Sequence, residues 1–298
     1  MVRASSLREA ITLALGESIH ITNKHPVYGG DINQSYRLSL SDGSTAFLKA
    51  NSMRNLSFFE AEAKGLEVLR ATGTIGVPEA LAIGTDAGEG ISFLLMENLE
   101  AAPRISGYWE TFGRELAALH RADCREITGT SQPFGFASDN YIGSIPQRNA
   151  PRESWVTFFR ECRLLPQMRM AEGYFDAKAR GQCAKLLDHL GDYLAEPESP
   201  SLIHGDLWSG NAVCGPDGKA WILDPAAYVG HHEAELAMTE LFGGFPAAFY
   251  RAYDEVYPID RDYRDRRELY NLYHLLNHLN QFGGSYWSAV MNVLNRYA

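Results

Sequence analysis

At 298 residues, with 45% apolar and 21% charged side chains, the chain is long enough for two lobes with cores of their own and has the composition of an ordinary soluble globular protein. Its formal net charge of −10 excludes general attraction to phosphate backbones, so nucleic acid is not an expected partner and any phosphate ligand has to be held by local charges and a metal. Cys124, Cys162, Cys183 and Cys214 lie far apart without paired spacing, the pattern of reduced thiols in a cytoplasmic protein. No apolar run is long enough to span a bilayer and the N-terminus reads as lacking a signal peptide, so no membrane partner is expected.

In chain order, Leu7, Ala10, Ile11, Ala14 and Leu15 predict a short amphipathic helix that Gly16 stops. Strands follow at 19–24, 36–40 and 46–50, with a glycine turn at 27–31 and a Ser41-Asp42-Gly43 corner. A strand, a glycine turn carrying Gly29 and Gly30, and a strand, with Lys49 on the next strand, is the arrangement by which kinases lay backbone amides over phosphates and aim an ammonium at them. Adjacent glycines also occur in ordinary hairpins. A helix at 57–71 follows, and Glu62 is chosen over Glu60 as the partner of Lys49 because it directly precedes the apolar stripe at 63–69.

Further strands are expected at 80–84 and 91–96, and the composition then shifts through 100–106. The expected organisation is a β-rich N-terminal lobe (1–97), a hinge (98–106) and a mainly helical C-terminal lobe (107–298). Met96, Glu97 and Asn98 fall where the hinge backbone of a bilobal kinase reads adenine. Helices are expected at 108–121, 155–171, 177–194, 235–242 and around Leu269 to Leu279, with a long polar and aromatic loop at 129–151 whose aromatics argue for an ordered, functional segment.

The stretch 201–224, SLIHGDLWSGNAVCGPDGKAWILD, concentrates the chemistry. His204-Gly205-Asp206 follows a short apolar run, Asn211 comes five residues after Asp206, and a Gly215-Pro216-Asp217-Gly218 turn centred between Pro216 and Asp217 leads into the strand that ends at Asp224. Asp206 is the candidate proton acceptor for an attacking hydroxyl, and Asn211 and Asp224 supply the hard oxygen ligands that suit Mg²⁺. His231-His232-Glu233 lacks the histidine spacing of a helical zinc site.

HGDLWSGN at 204–211, DPA at 224–226, LAMTELFGGF at 236–245 and FGFASDNYIG at 134–143 together resemble the fructosamine kinase (ketosamine 3-kinase) family, and the resemblance runs from GGDIN at 29–33 to 269–284. It implies an α+β, bilobal protein-kinase-like fold and ATP-dependent phosphorylation of the 3-hydroxyl of ribulosamine, erythrulosamine or fructosamine adducts, which repairs glycated amines. By position it puts Gly29, Gly30, Asn33, Lys49, Glu62 and 96–98 on the nucleotide, Asn211 and Asp224 on Mg²⁺, Asp206 at the acceptor hydroxyl, and His204 and Trp208 on the sugar. The expected partner is a free or protein-bound ketoamine, met by a monomer or weak homodimer.

Two departures from the family pattern matter. Glu235 stands where members carry an aspartate that anchors the catalytic loop, so it has to reach the same amides with an extra methylene, and Asp31 stands where some members carry a cysteine. The same motifs leave room for an aminoglycoside- or choline-type acceptor, or for a nucleotide-binding regulator without catalysis.

Overall fold

The computed structural model describes residues 1–28, 32–130 and 132–298, so Gly29, Gly30 and Asp31 of the expected phosphate turn lie outside the described residues. The first elements are β1 (Val2–Ala4), α1 (Leu7–Leu15), β2 (Ile21–Val27), β3 (Gln34–Leu40), β4 (Thr45–Ser52), α2 (Leu56–Ala71), β5 (Ala80–Asp86) and β6 (Ile91–Glu97). Next come α3 (Tyr108–Arg121), α4 (Arg125–Thr128), β7 (Asn140–Ile142), β8 (Ile145–Gln147), α5 (Trp155–Phe158), α6 (Leu165–Met170) and α7 (Ala177–Asp188). The chain closes with β9 (Ser201–Ile203), β10 (Ala212–Cys214), β11 (Ala220–Ile222), β12 (Tyr228–Gly230), α8 (His232–Leu241), α9 (Ala247–Val256), α10 (Tyr263–Phe282) and α11 (Trp287–Tyr297). They fall into two compact units, Met1–Tyr108 with Val213–Pro225, and Trp109–Ala212 with Ala226–Ala298.

The first unit is built on a sheet of order β1-β5-β6-β4-β3-β2. Leu7, Ala10 and Ile11 of α1 cover one face, where they meet Leu38, Leu40, Ala46, Leu48, Phe93 and Leu95. Because side chains alternate across a strand, Lys49 points to the opposite face, which α2 covers with Phe59, Ala63, Leu66 and Leu69. The strand β1 has no counterpart in the sequence reading. It pairs parallel with β5, and Gly84 makes this possible, since a Cβ there would stand 1.9 Å from the Ala4 carbonyl oxygen.

Residues 213–225 belong to this unit, although the lobe boundaries expected from sequence put them in the second. The linker holds them: Ala102 N–H donates to Gly215 O (3.1 Å) and Ile105 N–H to Gly218 O (3.1 Å). Gly218 has φ +74°, and a Cβ there would lie 2.6 Å from Pro103 O, so the turn requires glycine for conformation and for close approach. Gly215 N–H donates to Lys219 O (2.8 Å), which centres the turn on Asp217, half a residue past the expected centre.

The second unit is mainly helical. The expected helix at 155–171 is α5, a π-helical turn at Phe159–Leu164, α6 and a 3₁₀ turn, and the expected long loop contains the β7/β8 hairpin. The strands β9 and β12 pair antiparallel, with Ile203 opposite Tyr228. The helix expected at 235–242 starts earlier, at His232, because the His231 ring accepts the Glu233 N–H and caps it.

Three histidines of this unit are buried and neutral. Burial above all, with smaller contributions from neighbouring histidines and arginines, lowers His231 to about 3, His232 to about 2 and His274 to about 3 from an ordinary 6.5. Below pH 6.5 the unfolded chain binds protons that the folded one refuses, so stability is lost as pH falls from there toward 3. With three such groups the loss approaches about 4 kcal/mol per pH unit in the middle of that window. Urea midpoints at pH 7.5, 6 and 5 should fall steeply; equal midpoints would show that these rings titrate normally.

Candidate active site

In the first unit Lys49 is the centre of a charged cluster. Its Nζ donates to Glu62 Oε1 at 2.5 Å and also to Asp224 Oδ1, and its side chain is 9% exposed. Glu60, two residues earlier on the helix, pairs instead with Arg3 at 2.6 Å, so the structure puts Glu62 rather than Glu60 on the lysine. Burial alone would lower the Lys49 pKa, but the two carboxylates outweigh it and hold the ammonium charged. Asp224 has φ 56°, the only non-glycine residue in the left-handed region among those described, and its side chain stays half-exposed beside Lys49. Strain of this kind persists where the surroundings fix it, and it collects at functional sites.

The other residues expected on the nucleotide are held by their neighbours. Asn51 Nδ2 donates to Asn33 Oδ1 (2.7 Å) and Asn98 Nδ2 to Thr45 Oγ1 (3.0 Å). Met96 is buried opposite Phe47 in the ladder, and Glu97 N–H is taken by Glu79 O at 2.9 Å. The Glu97 amide is therefore committed to the protein itself.

In the second unit the segment after β9 is clamped from below. Glu235, fully buried in the first turn of α8, accepts the His204 N–H at Oε2 (2.6 Å) and the Gly205 N–H at Oε1 (2.9 Å). His120 Nε2 lies 3.3 Å from the same Oε2, and Tyr253 OH fixes the other ring nitrogen at 2.7 Å. Burial works to raise the Glu235 pKa, but these hydrogen bonds and the histidine charges prevail and keep it below the ordinary carboxylate value. The extra methylene relative to the family's aspartate is accommodated, since both oxygens reach amides. His120 and Tyr253 carry no sequence signal of this role: His120 reads as a residue of the helix at 108–121, and Tyr253 lies on a helix the sequence reading does not include.

This clamp sets the loop. Gly205 has φ +83° and a Cβ there would meet Ala226 O at 2.3 Å, so only glycine fits between His204 and Asp206. His204 is fully buried and its Nδ1 accepts the Asp206 N–H (3.3 Å). The ring is thus engaged in orienting the loop. Asn211 donates Nδ2 to Asp206 O (2.9 Å) and to Asp206 Oδ2 (3.3 Å). Trp208 is 37% exposed, with its ring edge-on to Phe242.

The residues expected on Mg²⁺ suit that ion by chemistry. Asn211 spends its amide nitrogen on Asp206, which leaves the carbonyl oxygen as a donor to a cation, and Asp224 retains Oδ2 beside the oxygen that takes Lys49. Both are hard oxygen donors, and Mg²⁺ commonly takes one or two such protein ligands. Among the described residues no group of three or more His, Cys, Asp and Glu could hold a metal, and no helix is long and apolar enough to cross a membrane.

A sheet-borne lysine paired with a helix glutamate, together with a clamped Asp-x₄-Asn loop, defines a protein-kinase-like phosphotransferase. The fold agrees: a macrolide 2′-phosphotransferase type I aligns with TM-score 0.62 over 97% of this chain and 95% of its own, at 16% identity. The chain belongs to the fructosamine kinase family, whose model matches residues 4–298. It is 42% identical to a Synechocystis protein named probable ketoamine kinase, over 98% of this chain and 95% of that protein. It is 38% identical to the chloroplastic protein-ribulosamine 3-kinase of Arabidopsis thaliana, over 98% and 87%. A crystal structure from Haemophilus somnus, provisionally named a fructosamine-3-kinase, aligns with TM-score 0.86 at 30% identity over 98% and 96%.

Two substitutions probe these clusters. Glu235→Ala leaves the His204 and Gly205 amides buried without acceptors and should cost about 3 kcal/mol in urea unfolding; a cost under about 1 kcal/mol would mean that the loop finds other acceptors. Lys49→Met should lower turnover by about 10²-fold or more while far-UV circular dichroism stays the same, and undiminished turnover would remove the lysine from catalysis.

Proposed function

We propose that this phosphotransferase moves the γ-phosphoryl group of ATP to the 3-hydroxyl of ketosamines, with a sugar-derived ketoamine, free or carried on a protein, as acceptor. The observation that carries the assignment of roles is the Asp206–Asn211 pair on a loop whose backbone is fixed by buried Glu235. The substrate class is supported by the ketoamine and ribulosamine kinases to which the chain is similar along nearly its whole length.

In this reading the Asp206 carboxylate orients the acceptor hydroxyl and takes its proton as the new oxygen–phosphorus bond forms and the bond to the ADP oxygen breaks. Lys49, held by Glu62, steadies the phosphates. Asn211 and Asp224 would hold Mg²⁺, which supplies charge neutralisation at the phosphate oxygens when bound. Asn33, the Gly29-Gly30 turn and the 96–98 strand end serve the nucleotide, with the reading edge at Asn98 and beyond, because the Glu97 amide is engaged. Trp208 offers its exposed face to the sugar.

The test is phosphate transfer from ATP to ribulose-, erythrulose- and fructose-lysine, compared side by side with an aminoglycoside and choline. Transfer only to the last two would overturn the ketosamine assignment. Asp206→Asn should lower kcat by about 10²–10⁴ with little change in nucleotide affinity, as expected for loss of a general base. A variant that turns over like the parent would remove Asp206 from the mechanism.

A further inference from the structure

Arg163 is the residue of the second unit that the roles above do not use. It sits in the π-helical turn at Phe159–Leu164, is completely buried, and forms no ion pair with a carboxylate among the described residues. Its plane lies over the Tyr228 ring at 3.8 Å, with Phe158 at 4.6 Å and Tyr273 at 5.5 Å, so aromatic faces rather than an anion surround the charge. Nη1 donates to Arg148 O (2.5 Å) and Cys162 O (3.0 Å), Nη2 donates to Asn149 Oδ1 (2.9 Å), and Nε has no partner. A buried cation without a counter-ion is costly, and π-helical turns recur at functional sites.

What the guanidinium does is legible in the bonds beyond it. Arginine can only donate, so it fixes the Asn149 amide with its oxygen toward Arg163. Asn149 Nδ2 then donates to Asn140 Oδ1 (2.9 Å), and Asn140 Nδ2 donates to Ala227 O (2.8 Å). Gln147 joins the same chain, accepting from Tyr273 OH (2.6 Å) and donating to Asn140 Oδ1 (2.8 Å) and Ala226 O (2.9 Å). Apart from a second Asn149 Nδ2 bond to Ser138 O (3.1 Å), the amide donors run one way along this chain and end on the Ala226 and Ala227 carbonyls. Ala226 N–H in turn donates to His204 O (2.9 Å), on the loop that presents Asp206.

We propose that Arg163 is a positioning residue for phosphoryl transfer: its buried guanidinium sets the polarity of the Asn149–Asn140–Gln147 chain, which pins the 226–227 backbone to the catalytic loop. Lysine would keep the charge but lose the planar fork and the stacking, so the direction of the chain would no longer be dictated. The inference rests on the kinase reading for its effect on turnover, yet its structural half is measurable without activity.

The experiment compares Arg163→Lys and Gln147→Met with the parent protein, using hydrogen exchange at Ala226 N–H and steady-state kinetics with fructose-lysine. Gln147→Met serves if the arginine variant does not fold. In the folded variants Ala226 exchange should quicken about tenfold or more, and kcat should fall about 10–100-fold while the KM for ATP stays within about twofold. Unchanged exchange, or a loss confined to KM, overturns the proposal. A parent protein that transfers no phosphate to fructose-lysine defeats the ketosamine reading, while the exchange result still decides the positioning role.

Discussion

The buried carboxylate of Glu235 is the constraint on which the catalytic loop depends. An ionised group in the interior is tolerated only when its oxygens are satisfied, and here each oxygen accepts a backbone amide, with His120 as a further partner of Oε2. The loop therefore cannot relax without leaving a buried charge unpaired. From that fixed backbone follow the positive φ of Gly205, the His204 ring turned back to the Asp206 amide, and the bond between Asn211 and Asp206. The direction of Asp206 is thus decided through the backbone by a residue it does not touch.

The charged cluster of the first unit obeys a different logic. One ammonium faces two carboxyl groups, and burial works to raise the Glu62 pKa while the Lys49 charge opposes it. In such a cluster the ammonium is held between two acceptors, and Asp224 keeps its second oxygen outside that bond. The left-handed φ of Asp224 is consistent with a side chain whose direction is set by function rather than by local preference.

Much of this was readable in the chain, and what was missed shares one cause. Spacing and apolar periodicity single out Lys49, Glu62, Asp206, Asn211 and Asp224; the Lys49–Glu62 pair and the Asp206–Asn211 bond both form, while the contact of Lys49 with Asp224 was not foreseen. The helix at 108–121 follows from periodicity with its observed bounds. Short strands do not announce themselves that way. With three residues each, β1, β7, β8, β9 and β12 are too brief for alternation to show, and their existence depends on distant partners such as β5 for β1. The buried polar chain from Arg163 to Ala226 has no sequence signature, since Asn and Gln within a polar loop look like solvent-facing residues until a fold surrounds them.

The run His231-His232-Glu233-Ala234-Glu235 shows how a metal-like motif can be wholly structural. Glu233 and Glu235 share the first turn of α8, where the helix dipole favours negative charge, and they serve different partners. Glu233 takes Arg266 through two bonds, at 2.9 and 2.6 Å, tying α8 to α10, while Glu235 takes the catalytic loop. His231 caps the helix through Nδ1, and its neutral state is what lets that nitrogen accept. A metal here would have to displace the cap and strip Arg266 of its two Glu233 bonds, leaving the guanidinium only the half-exposed Asp260 at 3.1 Å. The helix start is consequently an anchor in two directions at once, and its polarity, not a ligand, explains why so many titratable groups gather there.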